Sequence, residues 1–406
     1  MTIYEQVKAY IEDHRSEMLA MWKDFVDTPS QARDRAAAMK MADKLVEVFK
    51  GMGMRVAEHD VGPVNSRTLE AFWNEDAPGK PVLFGGHYDT VNCSPVEGAK
   101  PGDENEFDGT PHFRVDAQGN AYGLGALDMK GGIVVAIWVV KALQAAGWAE
   151  RPIRFLLAGD EDKGHFGADT PALLTKLAAG ALCCFNMETG RVNNDICIGR
   201  KGGGEGEMTV TGKAAHAGND FASGRNAVLE MAYKEIALSE LTNLELGTTV
   251  TPTVIKGGTV PNGIPDLCHI YFDVRYRKFE EAERVKKAIA EIAAATRIEG
   301  TSTTYIYKEY QTPFDETPDG IALAEFVDSV SQREGLGRMG QVNLGGGSDA
   351  CYFTVAGVPT ICAMGVQGQF NHSSKEYAVV ESLYTRAKLL ACAVADIGQY
   401  AGKIGR

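Results

Sequence analysis

His87 and Asp89, two residues apart, close the apolar run Pro81-Val82-Leu83-Phe84 after Gly85-Gly86. In extended chain, side chains two residues apart lie on one face. The imidazole can then hold a metal ion while Asp89 accepts its other ring N–H and fixes the tautomer. Alone, a His-x-Asp pair is weak support for such a site. Asp128 stands within Gly123-Leu124-Gly125-Ala126-Leu127-Asp128-Met129-Lys130-Gly131-Gly132. Its Gly-x-Gly suggests a phosphate loop, but no Gly-Lys-Ser/Thr accompanies it, so a nucleotide reading is set aside. Asp128 could cap an apolar helix over 131–146, and capping is compatible with ligation. Asp160-Glu161-Asp162 gathers three acids just beyond Ile153-Arg154-Phe155-Leu156-Leu157. Carboxylates so close resist joint ionisation and need either open solvent or a compensating cation. One of them could bind metal while its neighbour faces a substrate as general base. Glu188, after Leu182-Cys183-Cys184-Phe185, and His372, in Asn371-His372-Ser373, carry no signal singly. A metal pair needs nitrogen and carboxylate donors converging from several strands, one carboxylate bridging, and these segments together offer both kinds.

The elements that must position these residues are legible from periodicity. Four apolar, β-prone runs, at 81–84, 121–123, 153–157 and 182–185, each end in polar, titratable residues. Alternating with apolar helices over 131–146 and 169–178, they read as strands of an α/β domain. Open α/β sheets place their sites beyond the carboxyl ends of the strands, where these side chains fall. Residues 3–52 carry helical spacing, with Thr28-Pro29-Ser30 breaking it between two helices. From about residue 200 the pattern changes to strand 205–212, helix 223–240, strands 248–259 and 266–276, helix 279–296 and strand 302–310. That βαββαβ order is a self-contained α+β unit without acid or histidine clusters at its strand ends. Gly199, Gly202 to Gly204 and Thr312-Pro313 flank it as hinges. A helix over 319–335 follows, and then apolar runs ending in Gly345-Gly346-Gly347-Ser348-Asp349 and Asn371-His372. The expected architecture is a discontinuous catalytic domain, 1–199 and 312–406, with a mixed sheet flanked by helices and a smaller domain, 200–311, inserted.

Composition bounds the function. At 406 residues the chain exceeds the size of one ordinary core, which favours two domains. A formal net charge of −13 argues against a nucleic-acid or anionic-membrane partner, because such surfaces need excess Lys and Arg. The N-terminus lacks a signal-peptide pattern, and the apolar stretch Ile133 to Val140 is too short to span a bilayer. The cysteines, at 93, 183, 184, 197, 268, 351, 362 and 392, form no Cys-x-x-Cys and sit mostly in apolar runs. Buried thiols in a reducing, cytoplasmic setting fit that pattern, with Cys183 and Cys184 in the core. His112, His165 and the acidic stretch Asp103 to Glu106 read as ordinary loop residues.

Taken in order, several segments resemble the M20 family of dinuclear zinc peptidases and deacylases, most closely its glutamate carboxypeptidase branch. They are Gly85-Gly86-His87-Tyr88-Asp89-Thr90-Val91, Gly125 to Gly132, Asp160-Glu161-Asp162-Lys163-Gly164 and Glu188-Thr189. Gly212 to Gly218 around His216, Asn262-Gly263-Ile264-Pro265, Asp273-Val274-Arg275, Gly345 to Ala350 and His372-Ser373 continue the match over roughly residues 80–380. The resemblance implies a zinc-peptidase-like catalytic domain with an inserted lid and dimerisation domain, and hence a homodimer. It implies two Zn2+ ions (Co2+ or Mn2+ as substitutes) bridged by Asp128, one completed by His87 and Glu188, the other by Asp162 and His372. Glu161 would be the general base and Asp89 the partner of His87, while His216 would stabilise the oxyanion. Arg275, Asn262 and the backbone of Gly346, Gly347 and Ser348 would hold the free carboxylate of a small peptide or N-acyl amino acid. The bond after Asp128 is often cis in this family. Position 162 departs from the pattern, carrying Asp where Glu is usual, and Thr189 stands where Pro is usual. Without the resemblance His216 would be a surface histidine, and Arg275 could pair within its sheet with Asp273 or Glu280. A di- or tripeptide aminopeptidase of the same family is the rival enzyme, and a silent amino-acid binder the rival from another class.

Overall fold

The computed structural model describes residues 1–91, 112–373 and 375–403. Cys93 and the stretch Asp103 to Glu106 lie outside the described residues. The chain divides into two compact units, one of Met1–Gly199, Glu316–Asn343 and Ser348–Arg406, the other of Arg200–Asp315 and Leu344–Gly347.

The first unit is built on a six-stranded mixed sheet. Its central strand, Val82–His87, runs parallel to Ile153–Ala158 on one side and to Cys183–Asn186 on the other. Thr360–Ile361 adds a further parallel strand, and Thr68–Trp73 with Arg55–His59 closes the other edge antiparallel. A parallel strand covered on both faces has no polar side, which is why Val82, Leu83 and Phe84 are all buried. The helix Gly131–Ala145 is apolar nearly all round and correspondingly buried almost throughout. Because three parallel strands end at one sheet edge, His87, the 160–162 acids and Glu188 emerge close together.

Two local expectations are corrected. Asn120–Tyr122 is not in the central sheet but in a second, five-stranded one beside Arg114–Val115 and Tyr377–Val379. A three-residue strand whose partner lies so far along the chain has no local signature of its sheet. The N-terminal segment forms three helices, Ile3–Asp13, Arg15–Val26 and Arg35–Gly51, rather than two. His14 leaves helical geometry at φ −112°, ψ 23°, its ring stacked on Tyr10.

The second unit is an antiparallel four-stranded sheet in the order Thr249–Gly257, Leu267–Tyr276, Gly202–Thr211, Ser302–Gln311, with helices Ala227–Ser239 and Phe279–Ala294. Along Leu267–Tyr276 the buried Cys268, Ile270, Phe272, Val274 and Tyr276 alternate with residues more open to solvent. The second helix answers with Ala282, Val285, Ile289 and Ala293, one apolar stripe at helical spacing. Among the described residues no helix is long and apolar enough to cross a membrane, and the described cysteines are buried and form no disulfide with one another.

Candidate metal centre

His87 ends the central strand with its ring 1% exposed. Its Nε2 lies 3.3 Å from Asp128 Oδ1, 3.6 Å from Glu188 Oε1 and 3.9 Å from Glu161 Oε2. The nearest acceptor to its Nδ1 is the Asp89 backbone carbonyl at 3.1 Å, with the Asp89 carboxylate at 3.4 Å. That carboxylate has a further task, since it accepts the backbone N–H groups of Glu161 at 3.2 Å and Asp162 at 3.0 Å. Asp89 thus braces the turn that carries the other acids.

Asp128 leaves a distorted turn, Ala126–Lys130, through a cis bond to Met129. Its second oxygen, Oδ2, is 3.1 Å from His372 Nε2 and accepts a hydrogen bond from Asn371 Nδ2 at 2.9 Å. His372 Nε2 is also 3.2 Å from Asp162 Oδ1. The histidine reaches this place from a left-handed backbone at φ 62°, a region His tolerates better than most residues. Asp128 Oδ1 and both Asp162 oxygens are buried and make no hydrogen bond of acceptable geometry.

The charges do not balance without a cation. Burial pushes Asp162 up to about 6, and burial with the neighbouring Glu188, Asp349 and Asp162, against the pull of His87, pushes Glu161 well above the carboxylate range. Asp128 moves the other way: burial would raise it, but His372 and His87 beside its two oxygens outweigh that. His372 is driven up to about 11 by the Asp128 and Asp162 carboxylates beside its Nε2. Buried, unpaired carboxylate oxygens among acids that cannot all ionise are what a metal ion would satisfy. The groupings His87, Asp128, Glu188 and His87, Asp89, Asp162 each bring donor atoms within 4.8 Å of one another. The donor set therefore fits the metal chemistry expected of it.

Periodicity missed two supports of this cluster. Glu376 is buried and accepts the backbone N–H of Leu127 at 2.8 Å and of Asp128 at 3.3 Å. Burial drives its carboxyl up to about 8. Asn371, which holds Asp128, was visible only as the neighbour of His372.

Gly131 and Gly132 serve packing rather than phosphate. A Cβ on Gly132 would run into the Met187 carbonyl oxygen, and one on Gly131 would meet Val366. The helix that follows Asp128 can therefore sit against the segment that carries Glu188 only without side chains there. Gly132→Ala should destabilise the fold by about 1–3 kcal/mol or more, as overpacking does. A melting curve unchanged from wild type would refute that account.

Within the second unit, His216 is exposed, and its Nδ1 accepts the N–H groups of Gly218 and Asn219, each at 3.1 Å. Asn262 accepts the Ala217 N–H through its carbonyl. Arg275 is paired through Nε with Asp273 at 3.0 Å, one of the two sheet pairings open to it. The Gly346 and Gly347 carbonyls accept from Arg200 at 3.4 and 3.0 Å. In the first unit Ser348 is buried, its hydroxyl accepting from Asn186 Nδ2 at 2.7 Å.

Residues 198–301 match the M20 peptidase dimerisation domain, and residues 70–235 match peptidase family M28. The chain is 28% identical over 371 residues to carboxypeptidase G2 of Pseudomonas sp. (strain RS-16), covering 90% of this chain and 83% of that one. It is 25% identical over 403 residues to succinyl-diaminopimelate desuccinylase of Bradyrhizobium sp. (strain BTAi1 / ATCC BAA-1182), covering 92% and 97%. Its fold resembles aminopeptidase PepT from Bacillus cereus with a TM-score of 0.76 at 21% identity, over 95% of this chain and 99% of that one. Fold, donor set and relatives define the class, a metal-dependent peptidase or amidohydrolase. The M28 match stops at residue 235, whereas these relatives align across both units and the dimerisation domain is the M20 one. The chain is similar to M20 peptidases along most of its length.

Proposed function

We propose that the protein hydrolyses the amide bond of a small peptide or N-acyl amino acid bearing a free carboxylate. The observation that carries this reading is Asp128, whose two oxygens face His87 at 3.3 Å and His372 at 3.1 Å. Asp128, with His87 and Glu188 on one side and His372 and Asp162 on the other, would hold a pair of metal ions. Histidine and carboxylate donors suit zinc, and cobalt or manganese accept the same set. When bound, such a pair polarises the amide carbonyl and makes water acidic enough to attack it near neutral pH. Glu161 takes the proton of the attacking water and returns it to the departing amine nitrogen. His216 accepts two N–H groups at Nδ1, so its neutral ring carries the proton on Nε2. That N–H is the donor we assign to the carbonyl oxygen as it gains charge. Arg275, Asn262 and the backbone of Gly346, Gly347 and Ser348 are assigned to the substrate carboxylate, for which a guanidinium fork is well shaped. A homodimer through the second unit and a cytoplasmic setting complete the reading, supported by the matched dimerisation segment and the buried thiols.

A second reading is favoured by the Asp273 carboxylate, which already pairs with Arg275. An aminopeptidase of this family would recognise the free amine instead, and PepT is a structural relative of that kind. Turnover should be compared on N-acyl amino acids, N-blocked dipeptides and free dipeptides, with metal analysis of the same preparation. Hydrolysis of blocked substrates only when the C-terminal carboxylate is free is the expected result. Preference for free amines, with indifference to an amidated C-terminus, would sink it.

A further inference from the structure

His165, which reads in the sequence as a loop residue, is buried between two acids from distant parts of the first unit. Its Nδ1 is 2.9 Å from Asp160 Oδ1 and its Nε2 is 2.7 Å from Asp349 Oδ1. Thr170 donates to the other Asp160 oxygen at 2.9 Å, so that carboxylate is held on both sides. The His165 backbone N–H also closes the turn onto the Asp160 carbonyl at 3.0 Å. Its own backbone is left-handed at φ 54°, a conformation that persists in a non-glycine residue only where surroundings hold it. The edge of its ring lies against Tyr352, 5.6 Å between centroids.

Two acceptors on one imidazole require both ring nitrogens to donate, so the ring is an imidazolium. Burial works against that charge, but Asp349 and Asp160 outweigh it and hold the proton well above the ordinary range. The cluster joins the turn bearing Glu161 and Asp162 to Asp349, the residue opening the short helix Ala350–Val355. Nothing in the proposed chemistry uses His165, Asp160 or Asp349 directly.

We propose that His165 is a positioning residue: by bridging Asp160 and Asp349 it fixes the turn from which Glu161 reaches the substrate. This rests on the reading of Glu161 as the base. Asp89 braces the same turn through the N–H groups of Glu161 and Asp162, so the turn is held from two sides. A base displaced by an ångström loses near-attack geometry without losing substrate affinity. The effect should therefore fall on kcat rather than on KM.

The test uses His165→Gln and Asp349→Asn, singly and together, in the full chain with saturating zinc. Glutamine can donate to only one of the two acids. In folded His165→Gln, kcat should fall about 10–100-fold, with KM within about threefold of wild type. The double variant should be little worse than the more damaged single one, because both changes break the same bridge. If His165→Gln does not melt cooperatively, Asp349→Asn alone carries the test with the same expected split. A wild-type kcat in a folded variant, or losses that multiply in the double variant, would overturn the proposal. Glu161→Gln is assayed alongside. If it keeps full activity the base assignment fails, whereas an inactive Glu161→Gln beside a fully active His165→Gln defeats only the positioning role.

Discussion

Glu161→Gln should lower kcat by about 10²–10⁴-fold or more, the share general-base help ordinarily supplies, with metal content and KM near wild type. The substitution keeps shape and the backbone bond from residue 161 to Asp89, but the amide cannot take a proton. Metal should stay because Glu161 belongs to neither donor grouping, and its nearest approach to His87 Nε2 is 3.9 Å. A second readout follows from the crowding of acids. At a pH high enough to ionise Glu161 despite its raised pKa, the metal-free variant should melt above the metal-free wild type, since less like charge is confined there. Near-wild-type turnover, or loss of metal on substitution, would remove Glu161 from the role of base.

Asp128→Ala should abolish both activity and tight metal binding. Asp128 faces the Nε2 atoms of both His87 and His372, whereas Asp162 meets His87 only at Nδ1, 3.9 Å away, so loss of Asp128 would open both proposed metal positions at once. Ligand binding to the native state stabilises it by about 2.7 kcal/mol at a hundredfold excess over Kd. Wild type stripped with a chelator should therefore gain melting temperature on adding zinc, and Asp128→Ala should gain little. Metal analysis after gel filtration provides the independent count. A variant that keeps its full complement of metal and the wild-type thermal shift would mean that Asp128 does not bridge.

Much of this cluster was legible because a parallel sheet writes itself into sequence. Each central strand is a short, mostly apolar run, and a histidine or acid lies at or just beyond its carboxyl end, as at His87, Asp160 and Glu188. The second unit was legible for a different reason. Its alternating strands and the stripe of Phe279–Ala294 carry their partners nearby, so period alone gives each element within a few residues. What escaped depends on contacts between distant segments. Glu376 reaches back to Leu127, and His165 meets Asp349 across the sequence, and neither has a local signature. Asp89 was assigned only to the His87 ring, because spacing reveals a shared face but not the backbone donors that occupy a carboxylate. Arg275 left two outcomes open, and its pairing with Asp273 depends on a rotamer that no pattern encodes.

The interruption of the first unit by the second bears on the order in which the chain acquires structure. Thr360 pairs with Cys184 in the central sheet, so that edge of the sheet waits for a segment made long after its neighbour. Residues 200–315 are continuous and carry a core of their own, so they can fold while the rest is still being synthesised. Until Thr360–Ile361 arrives, Cys183–Asn186 is an open apolar edge, the kind of surface that invites wrong pairing. An insert already folded brings its two ends to a fixed separation and spares much of the closure entropy that a slack connection of that length would cost. On this account, damage confined to the second unit should slow refolding of the first and raise its tendency to aggregate, even where the metal ligands are untouched.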